Sequence, residues 1–186
     1  MVDLSNKPIL RRAIIASIAE RSEGKIGRTA LMKLMYFLQA LKGVQLGYNF
    51  RIYTYGPYDG QVLDDLRTAE SLQVVTAQPF EWQGATGYTI AKGPQAAELI
   101  DRSQQDLAAI DGEIDWIVKS FAQRSASDLE VLSTIVFVDR ASTKGSTAEG
   151  DLVDRVHEIK PHHRREKIET EIAALKEQKL LASLPN

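Results

Sequence analysis

The sequence predicts a mainly α chain with a small antiparallel β-sheet or hairpin, an α+β protein. Three observations carry this expectation. Apolar residues recur at three- and four-residue spacing through most of the chain. Two-residue alternation of β-branched and aromatic residues is confined to short central runs. The balance of 44% hydrophobic and 26% charged residues is that of an ordinary globular domain, and 186 residues suffice for one real core.

From Pro8 to about Glu20, Ile9, Leu10, Ala13, Ile14, Ala16 and Ile18 keep a helical period, with Pro8 suited to the first turn. Glu23 to Gly27 breaks it. Thr29 is the expected N-cap of a second helix from Ala30 to Lys42, which Gly43 ends; its stripe of Leu31, Leu34, Met35, Leu38 and Leu41 has to be buried. Phe50, Ile52 and Thr54 then alternate with Arg51, Tyr53 and Tyr55 as a short strand. Gly56-Pro57 is expected to stop it, because proline has no amide proton to give to a ladder. A third helix follows, with Asp59 capping its first turn and Val62, Leu63, Leu66, Ala69 and Leu72 along one side. Val74–Ala77 and Tyr88–Ala91 read as strands of a hairpin that turns within Gln83–Gly87, after Phe80-Glu81-Trp82. Helix, helix, strand, helix, hairpin is the order of a winged helix, so residues 1–92 are expected to form a winged-helix-like part.

Pro94 opens the next helical pattern, through Leu107, Ile110, Ile114, Ile117 and Phe121, with Gly112 as a candidate point of bending or division. Ser127-Asp128-Leu129-Glu130 has the spacing of a capping box ahead of Leu132, Ile135 and Val136. Ala141 to Gly150 is small, polar and glycine-bounded, the expected flexible loop and nicking site. Beyond it, Val153, Val156 and Ile159 define one helix, Pro161 breaks it, and Ile168, Ile172, Leu175 and Leu180 define another. Residues 93–186 are thus expected to be a helical extension packed on the first part, in one compact domain overall.

Several function classes are disfavoured. The chain has no cysteine, so disulfides and thiolate chemistry are absent. His157, His162 and His163, with Glu158 beside them, show no spaced ligand motif, and neither a metal nor a cofactor is expected. Adjacent Asp64 and Asp65 diverge by about 100° around a helix axis, and Asp59 reads as a cap, so no carboxylate pair emerges. No nucleophile elbow, phosphate loop or dinucleotide fingerprint occurs, and no enzyme is expected. The apolar runs are too short to span a bilayer and MVDLSNKPILRR lacks the form of a secretory signal, so no membrane partner and a cytoplasmic setting are expected.

Net charge is −2, but its distribution is uneven: residues 1–56 carry nine Lys and Arg against three Asp and Glu, and residues 57–150 carry seven against fifteen. In a winged helix the third helix normally reads the major groove. Here residues 59–73 hold Asp59, Asp64, Asp65 and Glu70 against Arg67, which argues against nucleic acid. The alternative of a DNA-binding transcriptional regulator would rest on nonspecific phosphate contacts from Arg11, Arg12, Lys25, Arg28 and Lys33.

Four of the six tyrosines fall within Gly47–Leu72. Such a cluster can be simple packing, with hydroxyls tied to backbone. It can also be a partner surface, since tyrosine gives large contact area with few rotatable bonds. On that reading Tyr53, Tyr55, Pro57, Tyr58 and Trp82 are the candidate protein-binding residues.

KLMYFLQ at 33–39, GYNFRIYTYGPYDGQVLDDL at 47–66 and LEVLSTIVFVDR at 129–140 together resemble the Panacea family of antitoxin domains, which includes SocA-like proteolytic adaptors and YwgA-like proteins. The resemblance runs from the second helix to the closing helical hairpin with Glu158-Ile159-Lys160-Pro161, and the central run reads closer to the YwgA-like branch. It implies a mostly helical protein with a small sheet and no enzymatic activity. It further implies a protein partner, either a toxin neutralised by direct binding or an AAA+ protease to which the toxin is presented. A homodimer is left open.

Overall fold

Nine helices and two separate antiparallel two-stranded sheets form among the described residues, an α+β fold. The computed structural model describes residues 8–82, 85–142 and 147–184, with the backbone alone at 80–82 and 85–86. Two compact units result: Met1–Phe50 with Asp59–Arg124, and Arg51–Tyr58 with Ser125–Asn186. The division expected at 92/93 falls inside the first of them.

In the first unit, α1 (Pro8–Arg21) carries apolar residues nearly all round, burying Leu10, Ala13, Ile14, Ile15, Ala16, Ile18 and Ala19. A helix of that kind has to sit in the middle of its unit. It packs against α3 (Gly60–Ser71), against β4 (Ala85–Lys92) of the hairpin with β3 (Val75–Trp82), and against α4 (Ala96–Arg102) and α6 (Asp111–Phe121). The second helix, α2 (Arg28–Lys42), buries its leucine stripe as expected, but its N-cap is Gly27 rather than Thr29, with no side-chain cap. The reason is a close approach. A Cβ on Gly27 would stand 2.9 Å from the Tyr88 carbonyl oxygen, so only glycine lets the chain enter the helix there.

Just before it, Ile26 bridges Ile90 on β4, with the Ile90 amide donating to the Ile26 carbonyl at 2.8 Å. In this unit α1, α2 and α3 are followed by the β3–β4 hairpin, while the β1–β2 strands between α2 and α3 belong to the second unit. The strands run further toward the turn than the sequence suggests, taking in Phe80–Trp82, while Gln83 and Gly84 lie outside the described residues. The stretch after Pro94 divides into α4, α5 (Gln104–Ala108) and α6, at Ser103 and at Ala109–Ile110. Gly112 is not the break, since it sits harmlessly in the first turn of α6.

In the second unit, α7 (Ala126–Arg140) is the hub, with Leu129, Val131, Leu132, Ile135, Val136 and Val138 buried. Against it pack α8 (Glu149–Ile159) and α9 (Arg165–Glu177), the helical hairpin expected either side of Pro161. The cap of α7 is Ser125, two residues before the expected box: its Oγ accepts from the Asp128 amide at 3.1 Å and donates to the Asp128 carboxylate at 2.7 Å. Glu130 is thereby released from capping and turned inward. The expected loop is shorter than the sequence suggests, because α8 already begins at Glu149; residues 143–146 lie outside the described ones. The segment after α9 is held by Asp139, whose carboxylate accepts the amides of Ala182 at 3.0 Å and Ser183 at 2.8 Å.

The small hairpin of this unit corrects the sequence reading of Gly56-Pro57. β1 (Arg51–Tyr53) pairs with β2 (Gly56–Tyr58) in the register Arg51↔Tyr58, Ile52↔Pro57, Tyr53↔Gly56, so Gly56-Pro57 is the second strand and not a stop. Hydrogen-bonded and non-bonded pairs alternate in an antiparallel ladder. With Tyr53 and Gly56 closing the two-residue turn as a bonded pair, Pro57 falls at a non-bonded position, where its missing amide proton costs nothing.

Candidate functional site

The β1–β2 hairpin lies on α7 because Gly56 allows it to. Gly56 has φ +87, a left-handed conformation that favours glycine, and a Cβ there would meet Ser133 Oγ and Thr134 Oγ1 at 3.1 Å. Gly56 and Pro57 are buried. Tyr53, Tyr55 and Tyr58 face solvent, 68%, 67% and 39% exposed, three of the six exposed large hydrophobic side chains among the described residues. The Tyr53 and Tyr58 rings are 5.8 Å apart and tilted, on facing strands. The apolar backbone side of this hairpin is thus against the helix and its aromatic side is free.

A second anchor holds the turn. Lys160, 1% exposed and just past the end of α8, donates from Nζ to the carbonyl of Thr54 in the hairpin turn. The same ammonium lies 2.8 Å from Glu130 Oε1 on α7. A carboxylate oxygen has two lone pairs, so Oε1 keeps acceptor capacity beside this ion pair. Around the carboxylate stand His162, with Nε2 3.3 Å from Oε1, and His163, with Nε2 3.8 Å from Oε2; their rings are 4.3 Å apart.

Burial alone would raise the Glu130 carboxyl, but the Lys160 ammonium, aided by the two imidazoles, pulls it below the ordinary range. Burial, with His162 adjacent, pushes the His163 imidazole down, against the pull of Glu130. At neutral pH the centre is therefore a carboxylate and an ammonium beside a neutral His163.

None of Glu130, Lys160, His162 and His163 was singled out as a site residue by sequence. The readable signals were a glutamate inside the apolar run Leu129–Val138 and a lysine followed two residues later by paired histidines. Their meeting across thirty residues was not readable.

The other sequence candidates are scattered. Trp82 ends β3 in the first unit, and its side chain lies outside the described residues. Of the phosphate-contact candidates, Arg11 and Lys33 are 3% and 2% exposed and out of reach of a phosphate. Arg11 is spent inside the first unit: Nε donates to Asp65 Oδ2 at 2.6 Å, the Tyr48 hydroxyl donates to the same oxygen at 2.9 Å, and the guanidinium lies 5.2 Å from the Tyr48 ring centroid. Arg12 donates to the Pro8 carbonyl at 2.9 Å, Lys25 pairs with Glu23 at 2.5 Å, and Arg28 lies over the Tyr88 ring at 4.2 Å.

The third helix is also less acidic outside than its composition suggests. Asp59 is the cap, accepting from the Gln61 amide at 2.9 Å, and Asp65 is buried. Among its exposed residues, Gln61, Asp64, Arg67, Thr68 and Ser71, one charge of each sign remains, and those two are paired with each other.

No described helix is long and apolar enough to cross a membrane. No protein-family model and no curated protein matches the chain.

Proposed function

We propose that this chain is a non-enzymatic protein-binding module whose contact surface is the β1–β2 hairpin, with Tyr53, Tyr55 and Tyr58 as the contacting side chains and Pro57 as their buried support. One observation carries the reading: three tyrosines stand in solvent on a hairpin whose backbone is tied down at Gly56 and Thr54. A surface ordered before binding loses less entropy on association, and tyrosine is enriched among the residues that dominate interface energies. The sequence resemblance makes the partner a toxin held directly or an AAA+ protease to which it is delivered, in a cytoplasmic setting. DNA binding is the weaker alternative, because two of its five basic candidates are buried and α3 presents no net positive charge.

The test is affinity capture from host lysate with the full chain and with a Tyr55→Ala/Tyr58→Ala variant, each checked by circular dichroism. The expected result is a partner retained by the wild-type chain and lost by a folded variant. Equal capture by both, or collapse of the variant's helical signal, refutes the reading.

A further inference from the structure

Glu130, His162 and His163 offer three ligand atoms that all lie within 4.8 Å of one another, the grouping of this kind found among the described residues. We propose that they form a binding site for a divalent transition-metal ion of the zinc class. This is independent of the partner surface and stands or falls separately from it.

The geometry is close to what such an ion asks for. With zinc–nitrogen and zinc–oxygen bonds of about 2.0 to 2.1 Å, neighbouring ligands of a tetrahedral site are about 3.3 to 3.4 Å apart. His162 Nε2 stands 3.3 Å from Glu130 Oε1 and His163 Nε2 3.8 Å from Oε2, with the three ligand atoms within 4.8 Å of one another, so seating an ion needs the side chains to close in by up to about an ångström. His163 Nε2 is buried without a hydrogen-bond partner, an arrangement that costs free energy unless something takes its lone pair, while Glu130 Oε1 has the Lys160 ammonium at 2.8 Å and a second lone pair to offer.

The donor set of two imidazoles and one carboxylate suits zinc and its late first-row neighbours rather than magnesium or calcium, which prefer oxygen cages. Access comes from the His162 side, where the imidazole is 59% exposed, while His163 at 8% closes the inner side. A fourth position is left to water or to a group from outside. Lys160 shares the carboxylate and opposes a dication, so the site is expected to be weaker than a structural zinc site whose ligands face no cation.

The experiment uses the tag-free full chain stripped with chelator, titrated with Co²⁺ and followed by visible absorption, then back-titrated with Zn²⁺. One equivalent of Co²⁺ should produce d–d bands that Zn²⁺ abolishes and that excess Mg²⁺ leaves intact. His162→Ala removes a largely exposed ligand and should keep the fold, yet weaken Co²⁺ binding by about tenfold or more. His157→Ala, which alters the remaining histidine, should bind as wild type does. Absent bands at hundredfold Co²⁺ excess overturn the proposal, as does an affinity unchanged in His162→Ala or lowered equally in His157→Ala.

Discussion

Replacing Lys160 by methionine keeps most of the side-chain volume and removes the ammonium from under the tyrosine hairpin. Two groups lose their partner. The Thr54 carbonyl belongs to an exposed residue and can turn to water, so its loss contributes little. The Glu130 carboxylate cannot do so freely, because its side chain is only 10% exposed. Breaking a buried pair by removing one partner typically costs 3–5 kcal/mol, since an uncompensated charge stays behind. The carboxylate keeps a partly open side beside the solvent-exposed His162 ring, where water can reach it, which places the expected loss near the lower end, about 3 kcal/mol. The double variant Lys160→Met/Glu130→Gln removes both charges and should recover at least half of it. Urea unfolding read by hydrogen exchange of the α7 and β1–β2 amides isolates this unit from the rest of the chain. A loss below about 1 kcal/mol in the single variant, or a double variant whose cost is the sum of its parts, would show that the pair does not hold the hairpin.

Acidification should destabilise the same unit in two steps. His163 and Glu130 both have their folded-state proton affinity depressed, so the stability each contributes is present above its ordinary value, 6.5 or 4.5, and is lost as pH falls below it. Urea midpoints at pH 7.5, 5.5 and 4 should fall in that order, and a flat profile would contradict the assignment. In the first unit, Tyr48→Phe deletes the hydroxyl that donates to Asp65. Hydrogen bonds to a charged group contribute about 1.5–3 kcal/mol, and because Arg11 still holds Asp65 the expected loss is about 1.5 kcal/mol by urea unfolding. Burial first, and the facing Asp65 carboxylate second, raise the Tyr48 phenol well above its ordinary value, so this loss should not vary between pH 6 and 9.

The fold was legible wherever the signal was local. Periodicity placed α1, α2, α3, α7, α8 and α9, and Asp59 was recognisable as a cap because its carboxylate acts on an amide two residues on. Legibility failed where parity or distance decided. Nothing in Gly56-Pro57 reveals that Pro57 meets Ile52 at a position needing no amide proton; that depends on which pair closes the turn. The Ser127–Glu130 spacing fitted a capping box as well as Ser125–Asp128 does, and only the partner of Glu130, thirty residues on, separates the two. The tyrosines were visible as a cluster, but their exposure follows from the glycine contact with Ser133 and Thr134, which no spacing encodes.

The uneven charge along the chain illustrates the same point and bears directly on partner choice. A basic first third and an acidic middle suggest a polarised surface, but within the first unit three arginines of the one pair with carboxylates of the other. Arg11 pairs with Asp65 at 2.6 Å, Arg21 with Asp111, and Arg28 with Glu70 at 3.7 Å, each a cation of the first segment on an anion of the second. Arg11 is thereby removed from the surface altogether, and the others face water beside an opposite charge, where little field remains beyond a Debye length of about 10 Å at 0.1 M salt. A polyanion gains from a protein only by displacing its counterions with unpaired cations. Mixing the chain with random duplex DNA at low ionic strength should therefore give no gel shift. A shift that weakens steeply with added salt would mean that these pairs open for phosphate, and would revive the DNA-binding alternative.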